Sequence, residues 1–200
     1  MRSLLLCALA LASMASFGKA AAPVYSKKLT IVLDFRGPHS AQSIAEMKHE
    51  LEGIMQGSGL AIDWRLRDEA SQDSFDNLVV VRFNGKCILE PVPFLYDERG
   101  PYAFTYSTEG VLQPFSEVAC DRITSSVRAA MFTGDYVRAD QLLGRALGRV
   151  VAHELIHMLS RSDAHGREGV AKPSLSGSQL IADHLNLSPA DLERVRALPH

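Results

Sequence analysis

The sequence predicts an α/β domain, in the looser sense α+β. A twisted mixed sheet of about five strands packs on one helix and on a second, longer helix, and a small helical part closes the chain. Three observations carry this. Short apolar runs rich in β-branched residues, bounded by Gly, Pro and Asn, dominate the first part of the mature chain. One segment of helical period interrupts them early. A long helical segment follows them, and only short helical pieces come after it.

The elements follow in order. "LTIVLDF" (Leu29 to Phe35), closed by Gly37-Pro38, reads as a buried strand. From Ser40 the period changes: Ile44, Met47, Leu51, Ile54 and Met55 recur at three- and four-residue steps, with Ser40 or Ser43 as cap and Gly57 and Gly59 as the stop. "AIDWRLR" (Ala61 to Arg67) alternates and reads as a half-exposed strand, and "NLVVVRF" (Asn77 to Phe83) as a second buried one, with a turn at Asn84-Gly85. "YAFTYS" (Tyr102 to Ser107) is strand-like and Glu109-Gly110 a turn. "QPFSEVACDR" (Gln113 to Arg122) holds another short strand, with Pro114 near its start or on a sheet edge. A long helix is expected from about Tyr136 to Ser160. Gly144 and Gly148 weaken it by roughly 1 kcal/mol each relative to alanine, and their spacing permits close packing against the sheet. Two short helices follow the glycine-bearing loop at Gly166 and Gly169. The last starts at Ser188-Pro189-Ala190-Asp191, with a serine cap, proline in the first turn and an acid three residues on.

The N-terminus has a different character. Met1-Arg2, the apolar run from Leu4 to Phe17, and small residues at Gly18 and Ala20 form the pattern of a secretory signal peptide. Pro23 disfavours cutting directly before it, which places cleavage after Ala20. The run is too short to span a bilayer comfortably, and Leu6 is bulkier than a lipid-attachment signal around Cys7 tolerates. The expectation is a leader over 1–20 and a single domain over 21–200, exported to a periplasm or beyond the cell, with no stable membrane span. Loss of Arg2 and Lys19 leaves 19 basic against 23 acidic residues, so the formal charge moves from -2 to -4. No basic patch stands out, which argues against nucleic acid as partner. Cys87 and Cys120 remain for one disulfide, a pairing that the sequence leaves open.

Chemistry concentrates in "VVAHELIHMLSRSDAHG" (Val150 to Gly166). His153 and His157 lie four apart and project from one helix face, so two imidazoles can reach one Zn2+ ion from a rigid element. Glu154 points to the side of such a metal, where it can deprotonate a zinc-bound water. The third ligand is open among His165, the better donor for zinc, Asp163, and more distantly Glu168, His184 and Cys120. His165 is preferred.

Element order together with "HELIH" and a nearby histidine resembles the metzincin clan of zinc-dependent endopeptidases. That resemblance implies a zincin-like fold over most of the mature chain, Leu29 to roughly Leu185. It also implies a peptide or protein substrate extended along an edge strand, for which "YAFTYS" is the candidate. The clan pattern H-E-x-x-H-x-x-G-x-x-H is departed from in three ways: Ser160 replaces the glycine, Asp163 occupies the usual third-ligand position, and His165 comes two residues late. Secreted bacterial relatives of the snapalysin type use aspartate there, whereas a group of poorly characterised bacterial exported zincins has the longer spacing, which favours His165. The clan's methionine turn has no counterpart after Met158, and "GVAKPS" (Gly169 to Ser174) is the candidate replacement. The function expected is a secreted zinc metalloendopeptidase with ligands His153, His157 and His165 and base Glu154. The alternative is a catalytically inactive zinc-binding exported domain acting as a binding module.

Overall fold

The computed structural model describes residues 27–70, 73–90 and 100–197. The expected leader and its cleavage site lie outside them. Five strands form one mixed sheet: β1 (Lys27–Phe35), β2 (Leu60–Leu66), β3 (Leu78–Asn84), β4 (Ala103–Thr108) and β5 (Val111–Ala119). Their order is β2-β1-β3-β5-β4, and all pairings are parallel except β4 with β5. The parallel part needs covered crossovers. Helix α1 (Ala41–Ile54) supplies the first, between β1 and β2.

One face of the sheet carries the core. Leu29, Ile31 and Leu33 of β1, Val79, Val81 and Phe83 of β3 and Val118 of β5 meet the apolar stripe of α1 (Ile44, Met47, Leu51, Ile54) and the long helix α4 (Ala139–Ser160). Ser40 caps α1, its hydroxyl accepting from the Ser43 amide at 3.3 Å. The glycine pair of α4 serves that helix and not the sheet. A Cβ at Gly144 would stand 2.4 Å from the Ser43 carbonyl oxygen, and one at Gly148 would stand 2.8 Å from both the Met47 carbonyl oxygen and Glu50 Cβ. Close approach of the two backbones is what the glycines permit.

Several expectations need correction. β3 is buried on one face only, because its alternate side chains reach the open face of the sheet. β2 is partly exposed along its length without clean alternation, since it is an edge strand. The segment ending in "ACDR" does hold a strand, but a longer one that starts earlier: β5 runs nine residues, and a helix, α3 (Cys120–Ala130), begins directly after it. A 3₁₀ turn over Thr133–Arg138 precedes α4, which starts three residues later than the sequence suggested. The Glu109-Gly110 turn is as read, both residues having positive φ (53° and 80°), the mark of a two-residue hairpin. Pro114 sits where the β4–β5 register shifts, before β3 begins to pair with β5 at Phe115, so its missing N–H costs no ladder bond. Cys87 and Cys120 are joined in a disulfide that ties the end of β3 to the start of α3. The one-turn helix α2 (Arg67–Ala70) follows β2, and the expected C-terminal helices are α5 (Gly177–Ile181) and α6 (Pro189–Ala197), the latter capped by Ser188. No described helix is long and apolar enough to cross a membrane.

The sheet face opposite α1 and α4, which no described helix of the core covers, is polar at its centre. The carboxylate of Asp34, almost fully buried, accepts from Arg36, Arg67 and Arg82 at 2.9 to 3.0 Å. Burial would push Asp34 up, but the Arg82 and Arg67 hydrogen bonds and the Arg36 charge outweigh it and hold the carboxyl below its usual range.

Candidate metal centre

Helix α4 presents His153 and His157 one turn apart near its C-terminal end. Each ring is held by its inner nitrogen. His153 Nδ1 donates to the Val170 carbonyl at 2.9 Å, and His157 Nδ1 donates to the Ser162 carbonyl at 2.7 Å. A backbone carbonyl can only accept, so both neutral rings carry their proton on Nδ1 and leave Nε2 as a lone pair. Those two Nε2 atoms lie 3.0 Å apart. Two acceptors facing each other with no proton between them repel, and a cation placed beside both relieves the repulsion. Burial pushes His153 below the usual histidine range, and the neighbouring His157 adds to this, so the ring is held in the neutral form a metal requires.

The third donor comes from the loop after α4. The helix continues through Ser160, whose hydroxyl bonds back to the Ile156 carbonyl at 2.7 Å. Arg161 then takes the left-handed conformation (φ 49°). Chain reversal thus falls one residue beyond the position where the clan pattern carries glycine, and the longer loop brings His165 back over the helix end. Its ring centroid lies 5.2 Å from that of His153 and 4.8 Å from that of His157. One ring nitrogen from each of the three histidines falls within 4.8 Å of the others, so the cluster can hold a metal ion. Asp163 is exposed and stands outside this cluster, as do Glu168, His184 and Cys120. The loop is pinned at Gly166: its amide donates to the Ala171 carbonyl at 2.7 Å, and a Cβ there would stand 2.5 Å from Asp191 Oδ2.

Beneath His153 lies the segment that the sequence offered as replacement for a methionine turn. It forms a 3₁₀ turn over Gly169–Ala171, with Val170 and Ala171 buried. Gly169 has φ 66°, and a Cβ on it would stand 2.1 Å from the Asn186 carbonyl oxygen. Here the backbone, through Val170 O, makes the contact to His153.

Glu154 is 5 % exposed and turns toward the sheet. Its Oε2 accepts from the Thr105 hydroxyl of β4 at 2.7 Å. Thr105 pairs with Ser116 of β5 in the hairpin register, and Ser116 is fully buried on the same face. Burial pushes the Glu154 carboxyl above its usual range, and the Thr105 hydrogen bond pulls the other way. Next to Glu154 and His153 opens a cavity of about 280 Å³, walled by Tyr102, Ala103, Val150 and the stretch Lys172–Leu175. A larger groove of about 670 Å³ lies around Lys27, Leu78, Pro114 and Met158 and includes none of the three histidines or Glu154.

Sequence reasoning named the three histidines and the glutamate but missed Thr105 and the buried arginines of α4. Arg149, fully buried, donates to Glu50 at 2.7 Å and to the Gln179 carbonyl at 2.6 Å, while Arg145 donates to the Ile181 and Ala182 carbonyls and to Asp183. Together they fasten the C-terminal segment to the histidine-bearing helix. Their signal was present: two arginines four apart among Leu, Ala, Gly and Val, where a solvated helix face has no reason to be. No protein-family model matches the chain, and no curated protein matches it either.

Proposed function

We propose that this domain is an exported zinc-dependent peptide hydrolase of the metzincin-like kind. The observation that carries the reading is the pair of facing Nε2 lone pairs on α4, with His165 beside them and a buried carboxylate at the next residue. Three imidazole nitrogens fit zinc, which takes histidine nitrogen at about 2.0–2.1 Å and leaves a fourth position open in catalytic sites. Zinc bound there supplies a Lewis acid and lowers the pKa of a coordinated water toward neutrality.

The chain's own residues do the rest. Glu154 accepts the proton of the attacking water and returns it to the leaving amine. A carboxyl raised by burial is suited to both halves of that task. Thr105 fixes the orientation of that carboxylate from β4. Strand β4 is the antiparallel edge of the sheet, free on one side among the described residues to pair with an extended peptide. The binding-module alternative needs a fourth protein ligand, and among the described residues the metal-ligating cluster contains only the three histidines.

The test is metal content and peptide cleavage of the purified full chain. About one zinc per chain is expected. Glu154→Gln retains the metal and loses cleavage of casein or of a mixed peptide pool by about 10²–10⁴-fold, the range for removal of a general base. Protein that holds no zinc, or cleavage that survives the substitution, sinks the reading.

A further inference from the structure

The cavity beside Glu154 has walls of unequal character. Tyr102, Ala103, Val150, Pro173 and Leu175 make it largely apolar. Lys172 does not belong to that set. It lines the same cavity, is half-buried, and has no carboxylate partner among the described residues. Its backbone is fixed, because Lys172 ends the 3₁₀ turn and its amide donates to the Gly169 carbonyl. A second cation supports the wall at Gly100–Pro101: Arg122 donates to the Pro101 carbonyl at 2.9 Å, and a Cβ on Gly100 would stand 3.0 Å from the centre of its guanidinium. Among the described lining residues Glu154 alone is acidic; its carboxylate accepts from Thr105 and is not ion-paired with Lys172.

A lysine lining a half-enclosed, largely apolar cavity, with no described carboxylate in ion-pair contact, can offer its charge to a group that enters the cavity. An anionic group entering from solution can pair with it there, and the low-dielectric walls make that pairing worth more than a surface ion pair. We infer that this cavity receives a carboxylate from the peptide, so that preferred substrates carry, next to the reacting bond, an acidic side chain or the chain's own C-terminal carboxylate. Lys172 is the residue that selects for it. The inference rests on the peptide-hydrolase reading and narrows it to a substrate class.

The experiment measures binding separately from cleavage. Zinc-loaded full-length Glu154→Gln protein is titrated into fluorescein-labelled alanine-based hexapeptide pools containing one Glu, one Gln or one Lys, each with a free or an amidated C-terminus. Anisotropy is the readout. Carboxylate-bearing pools should bind about five- to tenfold more tightly than their neutral counterparts, as one partly desolvated ion pair allows. Preference for Glu over Gln in amidated peptides assigns the side chain, and preference for the free terminus in Gln peptides assigns the terminal carboxylate. The advantage disappears in Lys172→Met, persists in Lys172→Arg, and turns toward lysine-bearing peptides in Lys172→Glu. Equal binding of acid and amide pools, no binding of any pool, or a preference unchanged in Lys172→Met overturns the inference. Cleavage of the same pools by the wild-type chain separates the two proposals. Carboxylate preference without cleavage removes the hydrolase and keeps the cavity assignment, whereas cleavage blind to charge removes the cavity assignment alone.

Discussion

His153 and His157 stand on a helix and His165 on a loop, and the two kinds of donor are held by different physics. The helical pair inherits its spacing from backbone hydrogen bonding, and α4 inherits its position from apolar burial: Leu142, Leu143, Ala146, Leu147 and Val151 are all fully buried. The loop has no such ladder. His165 is exposed, and its place depends on contacts around Gly166, which rests against Ala171 and Asp191. Asp191 is in turn fixed by the capping hydroxyl of Ser188 at 2.7 Å and by Arg194. Damage to the helix should therefore appear as lost stability, and damage to the loop as lost metal affinity in a folded protein.

The largest expected effect separates the two loop candidates for the third ligand. His165→Ala should weaken zinc binding by roughly 100-fold or more, beyond the 10–100-fold typical of an outer-shell partner. Asp163→Ala should leave it within about twofold. Competition with a chromogenic chelator reads both, and an Asp163 variant that loses zinc while the His165 variant keeps it reverses the ligand assignment.

A smaller effect compares the two glycines. Gly166→Ala forces a methyl group against Asp191 and Ala171 and should cost about 1–3 kcal/mol by overpacking, together with roughly a tenfold loss of zinc affinity. Gly148→Ala meets the backbone and Glu50 of α1 and should cost stability on the same scale while binding zinc normally once folded. Thermal unfolding of the metal-free proteins, set beside chelator competition, distinguishes these outcomes. Equal zinc affinity in the two variants would show that the loop is not held through Gly166.

The smallest effect lies on the open sheet face, away from both donors, where Asp34 gathers three arginines. Its folded pKa is depressed, so its contribution is present above the ordinary carboxylate value and disappears as pH falls through the folded one. Asp34→Asn should destabilise the protein at pH 7, and the gap to wild type should narrow from about pH 4 downward. Zinc affinity should not change. Denaturant titrations at pH 7 and pH 3 check the sign, and a gap that widens toward pH 3 contradicts it.

Local rules made part of this molecule legible from the residues alone. Ser40 caps α1, Ser188-Pro189 opens α6, Glu109-Gly110 turns the hairpin, and His153 and His157 share a helix face, because each depends on near neighbours in the chain. Helix α3 escaped notice since its buried residues, Cys120, Ile123, Thr124 and Val127, are β-branched or sulfur-bearing and follow a strand without a break. Gly144 and Gly148 signalled close packing, but only the assembled molecule says that α1 is the partner.

What the sequence determined by itself was the helical donor pair with its adjacent glutamate, because four residues of helix return a side chain to the same face whatever surrounds it. The rest of the site came from the assembled fold. Thr105 reaches Glu154 across a sequence separation of 49 residues, and His165 returns to the helix through a loop held by α6. Lys172 joins the cavity from a turn beneath His153. Such contacts are made by packing between distant segments, and no spacing along the chain encodes them.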